Sequence, residues 1–251
     1  EFELGAAGDR FSYDNERPRQ RWHVDEFRIG RVPVTNADYE PFVAEGGYRD
    51  PQWWTEDGWA WVQTERATMP RNWTADGREW RIGGFVERDP QAPVIHVSWF
   101  EADAFARATG HRLPTEFEWE KAATFDPATG VTRTYPWGDE QPDPTRANVD
   151  QRALGPVRVG SHPEGASPCG CLGMIGDVWE WTSTVFDGYP GFRAHPYPEY
   201  SEVFFQAGYR VLRGGSWATC GRVASPTFRN WDFPQRRQIF SGFRLAESRN
   251  A

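Results

Sequence analysis

Gly173-Met174-Ile175-Gly176-Asp177-Val178-Trp179-Glu180-Trp181 sets two glycine turns against a short aromatic run. Two readings fit this stretch. Backbone carbonyls exposed by the turns, with the Glu180 carboxylate, are suitable oxygen ligands for a hard cation such as calcium. Alternatively Trp179 and Trp181 are core residues and Glu180 caps a turn. Either way, large apolar bodies sit in a chain that keeps turning. The whole sequence repeats that composition, with 14 Trp, 17 Phe, 8 Tyr, 25 Gly and 20 Pro in 251 residues. Few windows suit a helix, so an irregular, loop-rich α+β fold is expected rather than a bundle or a doubly wound sheet.

Three helices are expected. The first starts after Thr35, presents Tyr39, Phe42 and Val43, and stops at Gly46-Gly47. The second starts at the capping box Ser98/Glu101 and ends at Gly110; the third repeats the device with Thr115/Glu118 and turns Trp119, Ala122 and Ala123 inward. Trp53 to Arg88 reads as a hairpin insert or ordered loops. Trp22 to Ile29 alternates like a strand, and Tyr209–Arg213 and Gly242–Ala246 read as late strands. No internal repeat or linker divides residues 1–251, which suits one domain. Phe2-Glu3-Leu4-Gly5 reads as a strand already under way, so the chain is expected to be part of something longer.

The charge balance is 28 basic against 36 acidic residues, net −8, and Lys121 is the only lysine. With no basic run to neutralise phosphates, a nucleic-acid partner is not expected. No apolar stretch approaches the roughly 18 residues of a membrane span, and Glu1 to Gly30 lacks a secretory leader. Cys169, Cys171 and Cys220 form an odd set without zinc spacing, and read as reduced thiols of a cytoplasmic protein.

His23, His96, His111, His162 and His195 are too scattered for an iron or zinc motif. No Gly-x-Ser-x-Gly elbow, Walker loop or dinucleotide fingerprint occurs. Two segments carry chemistry. Asn230-Trp231-Asp232, followed by Arg236 and Arg237, could hold a quaternary ammonium by cation–π and charge attraction and a carboxylate by an arginine fork; a core Trp with a surface ion pair is the plainer reading. Tyr197 and Tyr200 lie among prolines, where a phenol can supply a proton.

Pro33-Val34-Thr35-Asn36, Arg112 to Glu120, Tyr135-Pro136-Trp137-Gly138, Gly176 to Trp181, Arg213 to Trp217 and Gly242-Phe243-Arg244 occur in that order. Together they resemble the formylglycine-generating-enzyme/sulfatase-modifying-factor domain over essentially the whole chain. The resemblance implies an irregular C-type-lectin-like fold with little regular secondary structure. Formylglycine-generating enzymes use a copper-binding cysteine pair after the Gly-Gly-Ser motif; here Cys220 stands alone, which argues against that oxidase activity. Phe228 to Phe240 and Tyr197-Pro198-Glu199-Tyr200-Ser201-Glu202 instead look like the sulfoxide synthases of ergothioneine biosynthesis, the hercynine oxygenases.

That resemblance implies O2-dependent joining of hercynine to γ-glutamylcysteine or cysteine, with iron(II) held by three histidines of an N-terminal DinB-like domain and no iron ligand in this chain. It implies Tyr197 as proton donor, with Tyr200 the alternative. Asp232 and Arg236 would bind the charged ends of the thiol substrate, Trp231 would border the hercynine pocket, and Asn230 is implied as a further substrate-binding residue. Structural calcium is implied at Asn148, Val149, Gly173, Gly176, Val178 and Glu180. A lectin-like binding module without chemistry is the competing expectation.

Overall fold

Capping decides where the helices begin. The structure is a computed structural model that describes residues 1–8 and 10–249. Four α-helices form among the described residues: α1 (Asn36–Ala44), α2 (Glu56–Glu65), α3 (Trp99–Ala108) and α4 (Glu116–Thr124). Thr35/Asp38, Ser98/Glu101 and Thr115/Glu118 close reciprocal capping boxes, each satisfying backbone N–H groups that the first turn leaves without partners. Helix α2 corrects the expectation of loops and a hairpin over 53–88. Thr55 caps it by accepting from the Gly58 N–H, and the expected hairpin follows it as Arg78–Arg81 paired with Gly84–Glu87.

The central sheet has four strands in the order Arg229–Asp232, Arg210–Arg213, Trp179–Val185, Ser241–Gly242. The first three pair antiparallel and the last pair is parallel. Glu180 stands opposite Arg213, and Arg213 opposite Arg229. Their side chains face α4, which answers with Glu116, Trp119 and Glu120 from successive turns of one face. On the other face, Trp181 and Leu212 join Trp99, Ala102 and Phe105 of α3 and Tyr39 and Phe42 of α1 in the main core.

Two expected strands are each broken in two. Trp22 to Ile29 splits into Gln20–Trp22, paired with Phe2–Leu4, and Phe27–Ile29, paired with Ala246–Ser248. Gly242 to Ala246 also splits: Ser241–Gly242 pairs with Trp179–Glu180, and the next pairing begins only at Ala246. Between them Arg244 leaves the surface altogether and is fully buried against Glu180. A buried guanidinium must be paired to offset its lost hydration, and that demand overrides strand continuity.

Three arginines are buried in this way. Arg213 pairs with Glu116 and Glu120, Arg229 forks onto Glu116 through Nε at 2.8 Å and Nη2 at 2.9 Å, and Arg244 forks onto Glu180. Such pairs contribute little net stability, but removing one partner costs about 3–5 kcal/mol. They fix how α4 and the chain's last strands dock on the sheet.

Candidate substrate-binding edge

The strand Arg229–Asp232 lies at one edge of the central sheet. Alternation sends Arg229 and Trp231 to one face and Asn230 and Asp232 to the other. The single indole-plus-carboxylate face suggested by the sequence is therefore corrected: adjacent strand residues cannot share a face. Trp231 lies flat on Phe186, ring centroids 4.2 Å apart and 6° from parallel, with Phe204 tilted against it at 5.5 Å. The Arg229 guanidinium sits over the same Phe186 ring at 5.0 Å. Trp231 is thus held from beneath by a ring that a buried ion pair also holds.

Beyond Trp231, Asp232 is half-buried and accepts from its neighbour's N–H, Phe233 N, at 2.8 Å. Burial pushes its carboxyl above the ordinary aspartate value, opposed by that hydrogen bond and by Arg236. Arg236 Nε is 3.5 Å from Asp232 Oδ1 and its side chain is 51% exposed, so its fork remains free to meet a ligand. Arg237 has a different fate. It turns inward to the Met69 carbonyl, to Glu101 at 2.9 Å and over Trp61, tying the strand's end to α3. Asn230 Oδ1 accepts from Trp231 N at 3.0 Å and stiffens the same strand.

The tyrosine loop is pinned nearby. Asp14, buried within the single turn Asp14–Glu16, accepts from Ser201 Oγ at 2.5 Å and from His195 N at 3.2 Å. Asn15 donates to Ser201 Oγ, and its own carbonyl accepts from Arg229 Nη1 at 2.8 Å. One acidic turn therefore clips loop 195–201 to the edge strand. Tyr197 is 52% exposed. Tyr200 stacks on Tyr13 at 5.2 Å and 13°, and Tyr13 continues to Phe228 at 5.2 Å. Burial, then Tyr13, Asp14 and Glu16, push the Tyr200 phenol above its ordinary value. No hydrogen bond or ion pair joins Tyr197 to Trp231, Asp232 or Arg236 among the described residues; ring contacts run from Tyr197 to Tyr200 and on through Tyr13 to Phe228, next to the edge strand. The sequence reading missed Tyr13, Asp14, Phe186 and Phe204. All four act by packing or anchoring across long sequence separations, and none sits in a local motif.

Among the residues suggested for calcium, the one carboxylate is already engaged. Glu180 is fully buried, and both its oxygens are taken: Oε1 by Arg244 Nη2 at 2.7 Å, Oε2 by Arg244 Nε at 2.6 Å and Trp119 Nε1 at 2.8 Å. A cation there would face a guanidinium. Asn148 bridges to Gly176, and its amide donates to Asp177 Oδ1 at 2.8 Å and to the Gly155 carbonyl at 2.9 Å. The Gly176 carbonyl accepts from Val178 N, while Val149 lies in an apolar cluster with Ile175 and Gly173 lies against Pro33. Loop 148–178 is held by its own amide network. The described residues form no group of three or more His, Cys, Asp or Glu able to hold a metal. Among the described residues no helix is long and apolar enough to cross a membrane.

The sulfatase-modifying factor enzyme 1-like domain profile matches residues 1–249. Hercynine oxygenase of Mycolicibacterium thermoresistibile is 51% identical over 251 residues, covering 98% of this chain and 56% of that protein. Hercynine oxygenase of Mycobacterium tuberculosis is 52% identical over 248 residues, covering 98% and 58%. The chain thus spans somewhat more than half the length of these relatives. The solved structure of PvdO from Pseudomonas aeruginosa superposes with a TM-score of 0.67 at 20% identity, covering 99% of this chain and 91% of that one, a likeness of fold.

Proposed function

The chain belongs to the sulfatase-modifying factor enzyme 1-like family, and from that premise we propose that it is the substrate-orienting half of a hercynine oxygenase. The reaction is O2-dependent coupling of hercynine to γ-glutamylcysteine or cysteine, with sulfoxidation of the new thioether. The observation that carries this reading is identity of about half to hercynine oxygenases across 98% of the chain. The edge strand supports it: an aromatic wall on one of its faces and a charged pair on the other lie at the rim of a sheet, where a second segment can meet them.

In this reading Trp231, stiffened by Phe186 and Asn230, borders the trimethylammonium of hercynine, to which an indole face is attractive. Asp232 and Arg236, on the opposite face of the strand, take the ammonium and a carboxylate of the thiol substrate. Each substrate therefore has its own face of the edge strand. Tyr197 holds the proton delivered during coupling; Tyr200 is the alternative donor, but its burial beside Asp14 and Glu16 makes it hold its proton harder. Iron(II), bound by histidines of an N-terminal DinB-like domain, supplies the oxidising chemistry when present. Calcium has no part in the reading, since Glu180 already serves Arg244. The cytoplasm, where small thiols stay reduced, suits such a reaction.

The test is a coupling assay on the full-length protein with iron(II), O2 and hercynine, offered each thiol separately and read by mass spectrometry for the sulfoxide. Product with one thiol supports the reading and names the donor. No product with either thiol overturns it.

A further inference from the structure

Cys169 and Cys171 take no part in the edge described above. Gly170 between them has φ +85°, a conformation glycine adopts without strain. The turn is closed twice, by Gly170 N donating to the Ser167 carbonyl and by Ser167 N donating to the Cys171 carbonyl, both at 2.8 Å. This closure turns the two side chains together, with Sγ atoms 3.5 Å apart. Cys169 is exposed and Cys171 is buried.

The surroundings divide the labour between the two sulfurs. The two sulfurs share a hydrogen bond that either thiol can donate, Cys171 Sγ also lies 3.9 Å from the Gly30 carbonyl, and Ser167 Oγ lies 3.3 Å from the Cys169 sulfur. Arg244 is close enough to favour negative charge on either sulfur. The Ala122 carbonyl at 3.1 Å favours the protonated form of Cys169, and burial opposes its ionisation as well. With Cys171 as the donor, the bond between the sulfurs outweighs both, drawing the Cys169 thiol down to about 5, while Cys171, holding the proton and buried, is pushed up. An accessible thiolate with a protonated thiol behind it is the arrangement that exchange with a disulfide requires.

We propose that Cys169 and Cys171 form a dithiol that exchanges with low-molecular-weight disulfides, Cys169 attacking and Cys171 resolving. The Cys169 thiolate attacks one sulfur of R–S–S–R; that S–S bond breaks, and one RS⁻ leaves and takes a proton from solvent. Cys171 then gives its proton to solvent and attacks Cys169 Sγ, expelling the second RS⁻, which is protonated in turn. Two protein thiols are oxidised to one disulfide, and the small disulfide is reduced to two thiols. The inference is independent of the oxygenase reading.

Cys220, exposed and without a partner thiol among the described residues, is the internal reference. The full chain is treated with oxidised glutathione, acid-quenched, alkylated and mapped by peptide mass. The wild type should yield a 169–171 peptide lighter by two hydrogens and carrying no glutathione, while Cys220 accumulates the mixed disulfide. Cys171→Ser, with Cys171→Ala as a second variant in case a buried hydroxyl perturbs the turn, should trap glutathione on Cys169. Cys169→Ser should leave Cys171 unreacted. A stable glutathione adduct on Cys169 in the wild type, or an unmodified 169–171 peptide while Cys220 reacts, would overturn the proposal.

Discussion

Trp231 is seated on Phe186 in a parallel stack, and Arg229, two residues earlier on the same strand, crosses the same ring. Phe186 is therefore a positioning residue for an indole that it helps to aim. An aromatic pair of this kind contributes about 0.5–1.5 kcal/mol beyond its buried area. Phe186→Leu keeps an apolar side chain but removes the stacking plane. The KM for hercynine should rise, on the order of threefold to tenfold by that energy, with kcat and the KM for the thiol nearly unchanged. Steady-state kinetics with each substrate varied separately check this. A fall in kcat alone would place Trp231 elsewhere in the reaction.

Asp232 should give the thiol substrate a pH dependence. Burial raises its carboxyl above the ordinary aspartate value. Its folded value lies above its unfolded one, so the stabilising contribution of the protonated form is present at low pH and is lost as pH rises through the raised value. Binding an ammonium runs the other way, because it requires the carboxylate. The KM for the thiol should fall as pH rises through the raised Asp232 value and then level off. Asp232→Asn should hold it high and flat while leaving the KM for hercynine alone. A pH series of kcat/KM for the thiol, wild type against Asp232→Asn, separates the two.

The helix starts and the aromatic core were legible because their signals are local. Thr35, Ser98 and Thr115 announce helices through residues three positions away, and Trp119, Ala122 and Ala123 do face inward. Helix α2 was hidden because its interior, Gly58 to Thr64, mixes glycine and tryptophan with β-branched residues and shows no clean apolar stripe; Thr55 was the available cue. The break after Gly242 was unreadable because Arg244 reads as a surface residue until Glu180 is known to wait 64 residues earlier in the chain. Within the candidate site, the motif residues were visible but their facing was not. Only the pairing of Trp231 with Val211 and of Asp232 with Arg210 makes the strand and separates the two side chains.

Glu180 and Arg244 form a closed, fully buried fork. Glu180→Gln should destabilise the fold by about 3–5 kcal/mol, the usual result of leaving one member of a buried pair uncompensated. Denaturant unfolding followed by tryptophan fluorescence measures it. A calcium chelator should leave the midpoint of the wild type unchanged, because the carboxylate is already matched by a guanidinium. A chelator-dependent fall in Tm would instead mean that calcium contributes to holding loop 148–178.

Tyr197 and Tyr200 lie three residues apart and are separable by environment. Tyr197 is exposed, its ring 6.5 Å from Tyr200 and nearly perpendicular to it, whereas Tyr200 is stacked on Tyr13 beside two buried carboxylates. Loss of a general acid lowers a rate by about 10²–10⁴, so Tyr197→Phe should suppress C–S coupling by about a hundredfold or more, with turnover diverted to oxidation of the free thiol. Its melting temperature should stay where it is, since an exposed hydroxyl without a hydrogen-bond partner contributes little. Tyr200→Phe keeps the stack on Tyr13 and should retain most coupling. Product ratios of sulfoxide to oxidised thiol, measured for both variants, assign the proton. Coupling lost in Tyr200→Phe and kept in Tyr197→Phe would transfer the role to the buried phenol, and would require Asp14 and Glu16 to change protonation as the substrates bind.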